Sequence, residues 1–359
     1  LVVNGSGKGW IGLDLGYRSI AIAQLQRSGA SLRIAAASEM PRTFSSQLEP
    51  ASAGKYADVS KQELATARLL AAGVTGKTAA CVLPISVAEL THASLPPGEP
   101  REQYAMVANE LGCSHCDPSR QFDYWPSAVS PGEKSSGLLD VNVIAVDERR
   151  AAAIAETLNA ARFDCRVLDG LPHAVARAVQ MAAPNRFGRP LAAVHLAHDE
   201  ALFVLSRDGV PVFTRQFRNA GMHRIVSQVS DSLGLLAEEA VHVLRSLGLP
   251  EVADGRKRGE QIQDVLAEIA VEPLGELAEE LRRTLSYLST LGGDATPDSV
   301  CVLGDGAAVR NLAAHLAAKA DISVWNWSLP DTNQCETTSS LPPAVFAVAS
   351  ALSGLAWES

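Results

Sequence analysis

The chain is 359 residues long, 47% hydrophobic, 20% charged and 5% aromatic, which suits roughly two globular domains and excludes disordered and fibrous classes. Lys and Arg number 31 against 40 Asp and Glu, so a net charge of −9 leaves no surplus to neutralise a phosphate backbone, and no nucleic acid is expected as a partner. The 6 cysteines are too dilute for a secreted disulfide scaffold and read as reduced thiols. With no secretory leader and no apolar run of the ~20 residues a spanning helix needs, a cytoplasmic chain without a direct membrane span is expected.

In chain order, Trp10–Leu15 and Ser19–Leu25 read as strands joined at Gly16-Tyr17-Arg18, with a third strand over Leu32–Ala37. A polar loop from Pro41 to Ala57 leads to a helix with apolar spacing over Lys61–Ala72. From Thr78 the pattern predicts an α+β insertion closing at about Leu168. Its strands are Thr78–Pro84, Leu90–Leu95, Gln121–Trp125, Val141–Val146 and the edge strand Asp164–Leu168, and its helices are Arg101–Leu111 and Glu148–Ala161. After a helix at His173–Met181 and a turn-rich junction, a second meander runs through Leu191–Ala197, Glu200–Ser206 and Val210–Phe217, echoing the start of the chain. Helices follow at Met222–Leu233, Ala237–Leu247, Gly259–Ala270 and Val271–Leu291, then strand Ser299–Leu303, turn Gly304-Asp305-Gly306, and helices Ala307–Lys319 and Pro343–Leu355. Two meanders, each followed by helices, predict a duplicated α/β fold with a cleft between halves.

The chemistry-bearing signal is the first turn, Gly12-Leu13-Asp14-Leu15-Gly16-Tyr17-Arg18-Ser19. A glycine at a hairpin turn lets backbone amides approach a phosphate, and an acidic residue before it can hold a hydrated Mg²⁺; spacing alone favours an Asp placed for turn geometry. The pattern resembles the first phosphate hairpin of the actin-like ATPase superfamily. The order of later segments resembles its PilM branch, the type IV pilus assembly proteins: Asn109-Glu110 on a helix, Phe122-Asp123-Tyr124, Val141 to Val146 leading into a helix, then Cys165 to Asp169. FtsA shares the architecture. Val302 to Ala307 resembles the adenosine-contacting turn.

The resemblance implies an actin-like (ribonuclease H-like) duplicated two-lobed fold with an FtsA/PilM-type α+β insertion of the SHS2 kind. The expected parts are residues 9–76 (first lobe), 77–168 (insertion), 169–189 (first lobe resumed), 190–335 (second lobe) and 336–359 (a C-terminal helix returning to the first lobe). It also implies a cytoplasmic pilus-assembly scaffold at the inner membrane, binding the N-terminal tail of a PilN-like protein in a groove between the first subdomain and the insertion, among other pilus assembly proteins. Implied cofactors are ATP and Mg²⁺. The implied nucleotide site comprises Asp14 (the Mg²⁺ ligand), Gly16, Tyr17, Arg18, Ser19, His195, Ala197, Gly304, Asp305 and Gly306.

At that site the sequence departs from the family pattern. Ala21 stands where a lysine reaches phosphate; Val194-His195-Leu196-Ala197 replaces Val-Asp-Ile-Gly at the second hairpin; and Asp305 interrupts a glycine run at the third turn. Because phosphoryl transfer is catalysed mainly by positioning and charge neutralisation, these losses predict a degenerate ATPase. Asp199 and Glu200 replace the lost carboxylate only if the hairpin shifts register. Two other readings share the architecture: the cytoplasmic part of a type II secretion L-type protein, and an active ATPase or sugar-kinase-like enzyme.

The remaining signals read plainly. Cys113-Ser114-His115-Cys116 has zinc half-site spacing without a second half, so a loop with two thiols is expected. Gly73 to Thr78 ends like a P-loop but has Ala71 in place of the first glycine. His195 and His198 lack a nameable third metal ligand, and Glu276, Glu279, Glu280, Arg282 and Arg283 form a solvated helix face.

Overall fold

The computed structural model describes residues 7–42, 59–112, 119–127, 137–218, 220–253, 256–258, 261–291, 295–330 and 340–358. The Cys113/Cys116 pair with His115, and Cys335, lie outside the described residues.

The first meander is β1 (Gly7–Lys8), β2 (Ile11–Leu15), β3 (Ser19–Ser28) and β4 (Ser31–Pro41), followed by α1 (Lys61–Leu70). Helix α1 starts where the Ser60 side chain accepts from the Glu63 amide while Glu63 reaches back to the Ser60 amide, a capping box. Next come β5 (Thr78–Leu83), β6 (Ala88–Leu95), α2 (Pro100–Glu110), β7 (Arg120–Pro126), β8 (Leu139–Asp147), α3 (Glu148–Ala160), β9 (Asp164–Gly170) and α4 (Leu171–Ala182). The second meander is β10 (Leu191–Leu196), β11 (Ala201–Arg207) and β12 (Val210–Phe217). Its hairpin turn uses Asp208 and Gly209 at positive φ, 52° and 79°. After it come α5 (Met222–Leu233), α6 (Ala237–Leu247), β13 (Glu251–Ala253), β14 (Arg256–Arg258), α7 (Gln261–Ile269), α8 (Val271–Thr290), β15 (Ser299–Leu303), α9 (Leu312–Ala320), β16 (Ser323–Asn326) and α10 (Ala347–Gly354).

Strand order shows the duplication directly. One sheet runs β4-β3-β2-β5-β9 and the other β12-β11-β10-β15-β16, each an antiparallel meander continued by two parallel strands. Strand β1 pairs with β3 just beyond β2. Every residue of β10 is buried, as expected for a parallel-paired strand covered on both faces.

Two of the expected boundaries change. The sequence reading puts Thr78–Pro84 and Asp164–Leu168 inside the insertion, but β5 pairs with β2 and β9 with β5, so both belong to the first lobe's sheet. Helix α3 goes with them: Leu158 and the adjoining Phe163 share a buried cluster with Leu64 and Ala67 of α1. The insertion proper is the antiparallel sheet β6-β8-β7 with α2, whose core joins Val107 to Val141 and Val143. The expected helix over Ala307–Lys319 is also broken, into a 3₁₀ turn at Asp305–Ala308 and α9, because Asn311 takes a φ of 67°.

Helices α4 and α10 cross between the lobes. Helix α4 follows the first sheet in sequence yet lies on β10, β11 and β12, while α10, from the end of the second half, lies on β2, β3 and β5 and against α4. One continuous core therefore runs through both lobes. The approach of α10 is close enough to dictate residue type: a Cβ on Gly12 would stand 1.8 Å from the Ala349 carbonyl oxygen. A Gly12→Ala substitution is thus expected to cost about 1–3 kcal/mol by overpacking. Gly7→Ala, with no atom within 4 Å of its added carbon, should leave the melting temperature unchanged, and thermal unfolding of the two variants checks the difference.

Candidate functional site between the lobes

Three turns meet at the cleft. The first follows β2 and is braced from beneath by Arg42, whose guanidinium donates to the Gly16 and Tyr17 carbonyls at 3.2 and 3.4 Å and pairs with Glu63 at 3.1 Å. Burial raises the pKa of the Glu63 carboxyl, but hydrogen bonds from Ser60 and Arg42 outweigh it and leave the net value lowered.

The second turn, between β10 and β11, rests on the start of α5. The Met222 and His223 amides donate to the Ala197 and His198 carbonyls at 2.9 and 2.6 Å, so these helix N-terminal donors are satisfied by backbone. Gly221 permits this contact, since a Cβ there would lie 2.4 Å from the Asp199 carbonyl carbon. Strands β10 and β11 pair in continuous register from Leu191↔Ser206 to Leu196↔Ala201, so Asp199 and Glu200 stay in the turn. At the third turn Gly304 has a φ of 88°, and a Cβ there would stand 3.0 Å from the His195 ring; one on Gly306 would stand 2.3 Å from Leu196. The turn after β15 is thus packed against the end of β10 through its two glycines.

The candidate residues gather around two cavities. Asp14, Gly16, Tyr17, His195 and Ala197 line a small one of about 40 Å³, together with Asp199 and Glu200. Arg18, Ser19 and Asp305 line a larger one of about 320 Å³, with Met222, Val226, Leu244 and Val309 as its apolar wall. Three further residues of the larger cavity escape sequence reasoning: Glu39 on β4, Arg42 and Arg245 on α6. The available signal is an isolated charge within an apolar run, as in Ala35-Ala36-Ala37-Ser38-Glu39-Met40 and Ala240-Val241-His242-Val243-Leu244-Arg245.

Side chains from opposite lobes touch here. His195 Nε2 lies 3.8 Å from Asp14 Oδ2, and the Tyr17 and His198 rings stack at 5.8 Å between centroids, 5° from parallel. Burial, with the charges of Arg18, His223 and Arg245 adding to it, pushes the His198 pKa down to about 3, so its ring is neutral. Burial raises Asp199, and it raises Glu200 to about 7, against a hydrogen bond from Gln216.

This donor set does not fit a magnesium triphosphate. The carboxylate implied for the metal faces the His195 imidazole, the Asp199 and Glu200 carboxyls of the same cavity are held toward their protonated forms by burial, and Tyr17 and His198 pack against each other between the first two turns. Among the described residues, no group of three or more His, Cys, Asp or Glu is placed to hold a metal ion.

Two like-ordered sheets, crossing helices and three turns converging on a cleft define the actin-like fold. No protein-family model matches the chain, and no curated protein matches it. Among solved structures it is similar to a chain of a PilM–PilN type IV pilus biogenesis complex, at 21% identity and a TM-score of 0.71, covering 96% of this chain and 97% of that one. The ethanolamine utilization protein EutJ from Carboxydothermus hydrogenoformans is similar at 12% identity and a TM-score of 0.55, over 97% of this chain and 90% of that one. MreB 5 of Spiroplasma citri bound to AMPPNP is similar at 10% and 0.51, over 94% and 93%.

The raised Glu200 pKa carries a sign that stability measurements can read. Between its ordinary value of 4.5 and about 7 the folded chain holds a proton that the unfolded chain has released, so this group's contribution to stability falls as pH rises through that window. Partial solvent access reduces the effect to about 1–2 kcal/mol. Glu200→Gln is therefore expected to gain in melting temperature over the parent chain at pH 8 and to lose that gain near pH 4.5, as checked by thermal melts across the range.

Proposed function

We propose that this chain is an adaptor of a pilus-type assembly machine, working at the cytoplasmic face of the inner membrane by docking on the N-terminal tail of a PilN-like membrane protein. Its nucleotide site is degenerate and carries no phosphoryl transfer. The observation behind the assembly role is fold agreement over nearly the full length of both chains with a component of a PilM–PilN complex. Support for the degenerate site comes from His195 facing Asp14 and from the Tyr17–His198 stack across the turns. Among the described residues no helix is long and apolar enough to cross a membrane, which accords with reaching one through a partner.

The docking place we propose is the junction of insertion and first lobe, where Trp125 of β7 meets His173 of α4 edge-on at 4.3 Å between centroids. Unspent hydrogen-bonding capacity is concentrated there. Asn142, the cross-strand partner of Trp125, is 1% exposed with neither amide atom hydrogen-bonded, and the Trp125 indole N–H is unpaired as well. Leaving such groups unsatisfied costs about 1–3 kcal/mol each, a local cost that the chain alone does not offset.

Calorimetry with the synthetic N-terminal tail of a PilN-like protein encoded in the same genome tests this reading. Saturable one-to-one binding, equal in EDTA and in Mg²⁺–ATP and weakened by Trp125→Phe, is the expected result. Failure of the folded chain to bind the tail would overturn the adaptor role. Binding of Mg²⁺–ATP that is abolished by Asp14→Ala would overturn the degenerate site.

A further inference from the structure

We infer that Arg245 is an interlobe clasp: a charge of the protein's own that ties the second lobe to the first across the cleft, so that closure of the lobes does not depend on a bridging ligand. The clasp deepens the adaptor reading, on which its functional meaning rests, by making presentation of the docking junction constitutive.

The geometry is that of a strong pair. Glu39 projects from β4 of the first lobe and Arg245 from α6 of the second, 206 residues apart in sequence, and two nitrogens of Arg245 meet the two Glu39 oxygens at 2.6 and 2.9 Å. A fork of this kind fixes orientation as well as distance, because both N–H vectors must align with the carboxylate plane. The Glu39 side chain is 4% exposed, so water and salt screen the pair far less than a surface bridge. A second carboxylate, Asp305, approaches the same guanidinium at 3.4 Å.

The charge balance makes the clasp indispensable to closure. Arg245 is the cation set directly against both carboxylates, and burial together with the charge of Glu39 disfavours the ionisation of Asp305; the other titratable groups lining this cavity are Arg18, Arg42, Glu238, His198 and His242. Without Arg245, closing the cleft would bury Glu39 unpaired beside a like charge, and separating the lobes would let water reach it. A ligand that closes a two-lobed fold does so by touching both lobes at once. Arg245 makes a contact of that kind itself, from the wall of the cavity between the lobes. Helices α4 and α10 join the lobes through their shared core, so the clasp fixes the remaining freedom, which is the opening of the cleft.

Small-angle scattering and hydrogen exchange on the full chain, as the parent and as Arg245→Met, Arg245→Lys and Glu39→Gln, test the clasp. The parent should give one scattering profile in EDTA and in Mg²⁺–ATP. Arg245→Met should show a larger radius of gyration and exchange roughly tenfold faster or more at β4 and α6, with its circular dichroism preserved, while Arg245→Lys, which keeps the charge without the fork, falls between. Should Arg245→Met fail to fold, Glu39→Gln reads the same loss of the bridge at nearly unchanged volume. Compaction of the parent by Mg²⁺–ATP, or scattering and exchange in the folded variants identical to the parent, would overturn it. Tail binding by the parent chain separates the two ideas: if it persists while the clasp fails, the adaptor reading stands alone, and if it is absent while the clasp holds, only the adaptor reading falls.

Discussion

The last helix of the second half has to lie against strand β2 of the first half, with backbone touching backbone. Helix α10 achieves this with a sequence of small residues, Ala347-Val348-Ala349-Ser350-Ala351-Leu352-Ser353-Gly354, every one of them buried. Ser353 donates to the Trp10 carbonyl at 2.6 Å and accepts from the Leu25 amide at 2.8 Å, serving the backbone where β1 and β2 are interrupted. On its other side Gly354 admits the end of Met181 from α4. A larger residue at Gly12 or Ser353 would lift α10 away from the sheet, and with it the turns that the two lobes bring together at the cleft.

Given that crossing, the cleft is furnished largely with contacts the chain makes to itself. Catalysis of phosphoryl transfer requires charges aimed at a bound phosphate and unspent until it arrives. Here Arg42 is committed to turn carbonyls and Glu63, Arg245 to Glu39 and Asp305, and the first donors of α5 to the second turn. Each commitment stabilises the folded chain and removes a group from the service of a ligand. A site of this kind suits a protein whose task is to hold a shape.

How far the sequence discloses this depends on whether the deciding interaction is local. Hairpins were legible, because alternation and turn residues such as Asp208-Gly209 act within a few positions, and the exchange of an expected Asp for His195 could be seen in the pattern itself. The membership of β5 and β9 was not: each reads as a strand beside an α+β segment, and only parallel pairing with distant partners assigns them to the first sheet. Strand β16 is four residues long, and its pairing with β15 is set by the fold rather than by its own alternation. Glu39 and Arg245 are ordinary charges in sequence and become a pair only through the crossing of α4 and α10, which no short window contains.

The insertion draws its orientation from both lobes. Its sheet meets the first lobe where Ile144 sits by Gly170 and Trp125 by His173, and it reaches the second where Ser127 donates to the Val212 carbonyl on β12 at 3.3 Å. An element supported from two sides moves whenever those sides move relative to each other, so any freedom in the cleft is transmitted to the junction that carries Asn142 and Trp125. In a nucleotide-driven machine that transmission is the output. In this chain the ion pair at the cleft opposes such motion, and under the adaptor reading we propose, a junction held in one arrangement is what a fixed link between a membrane partner and a larger assembly requires.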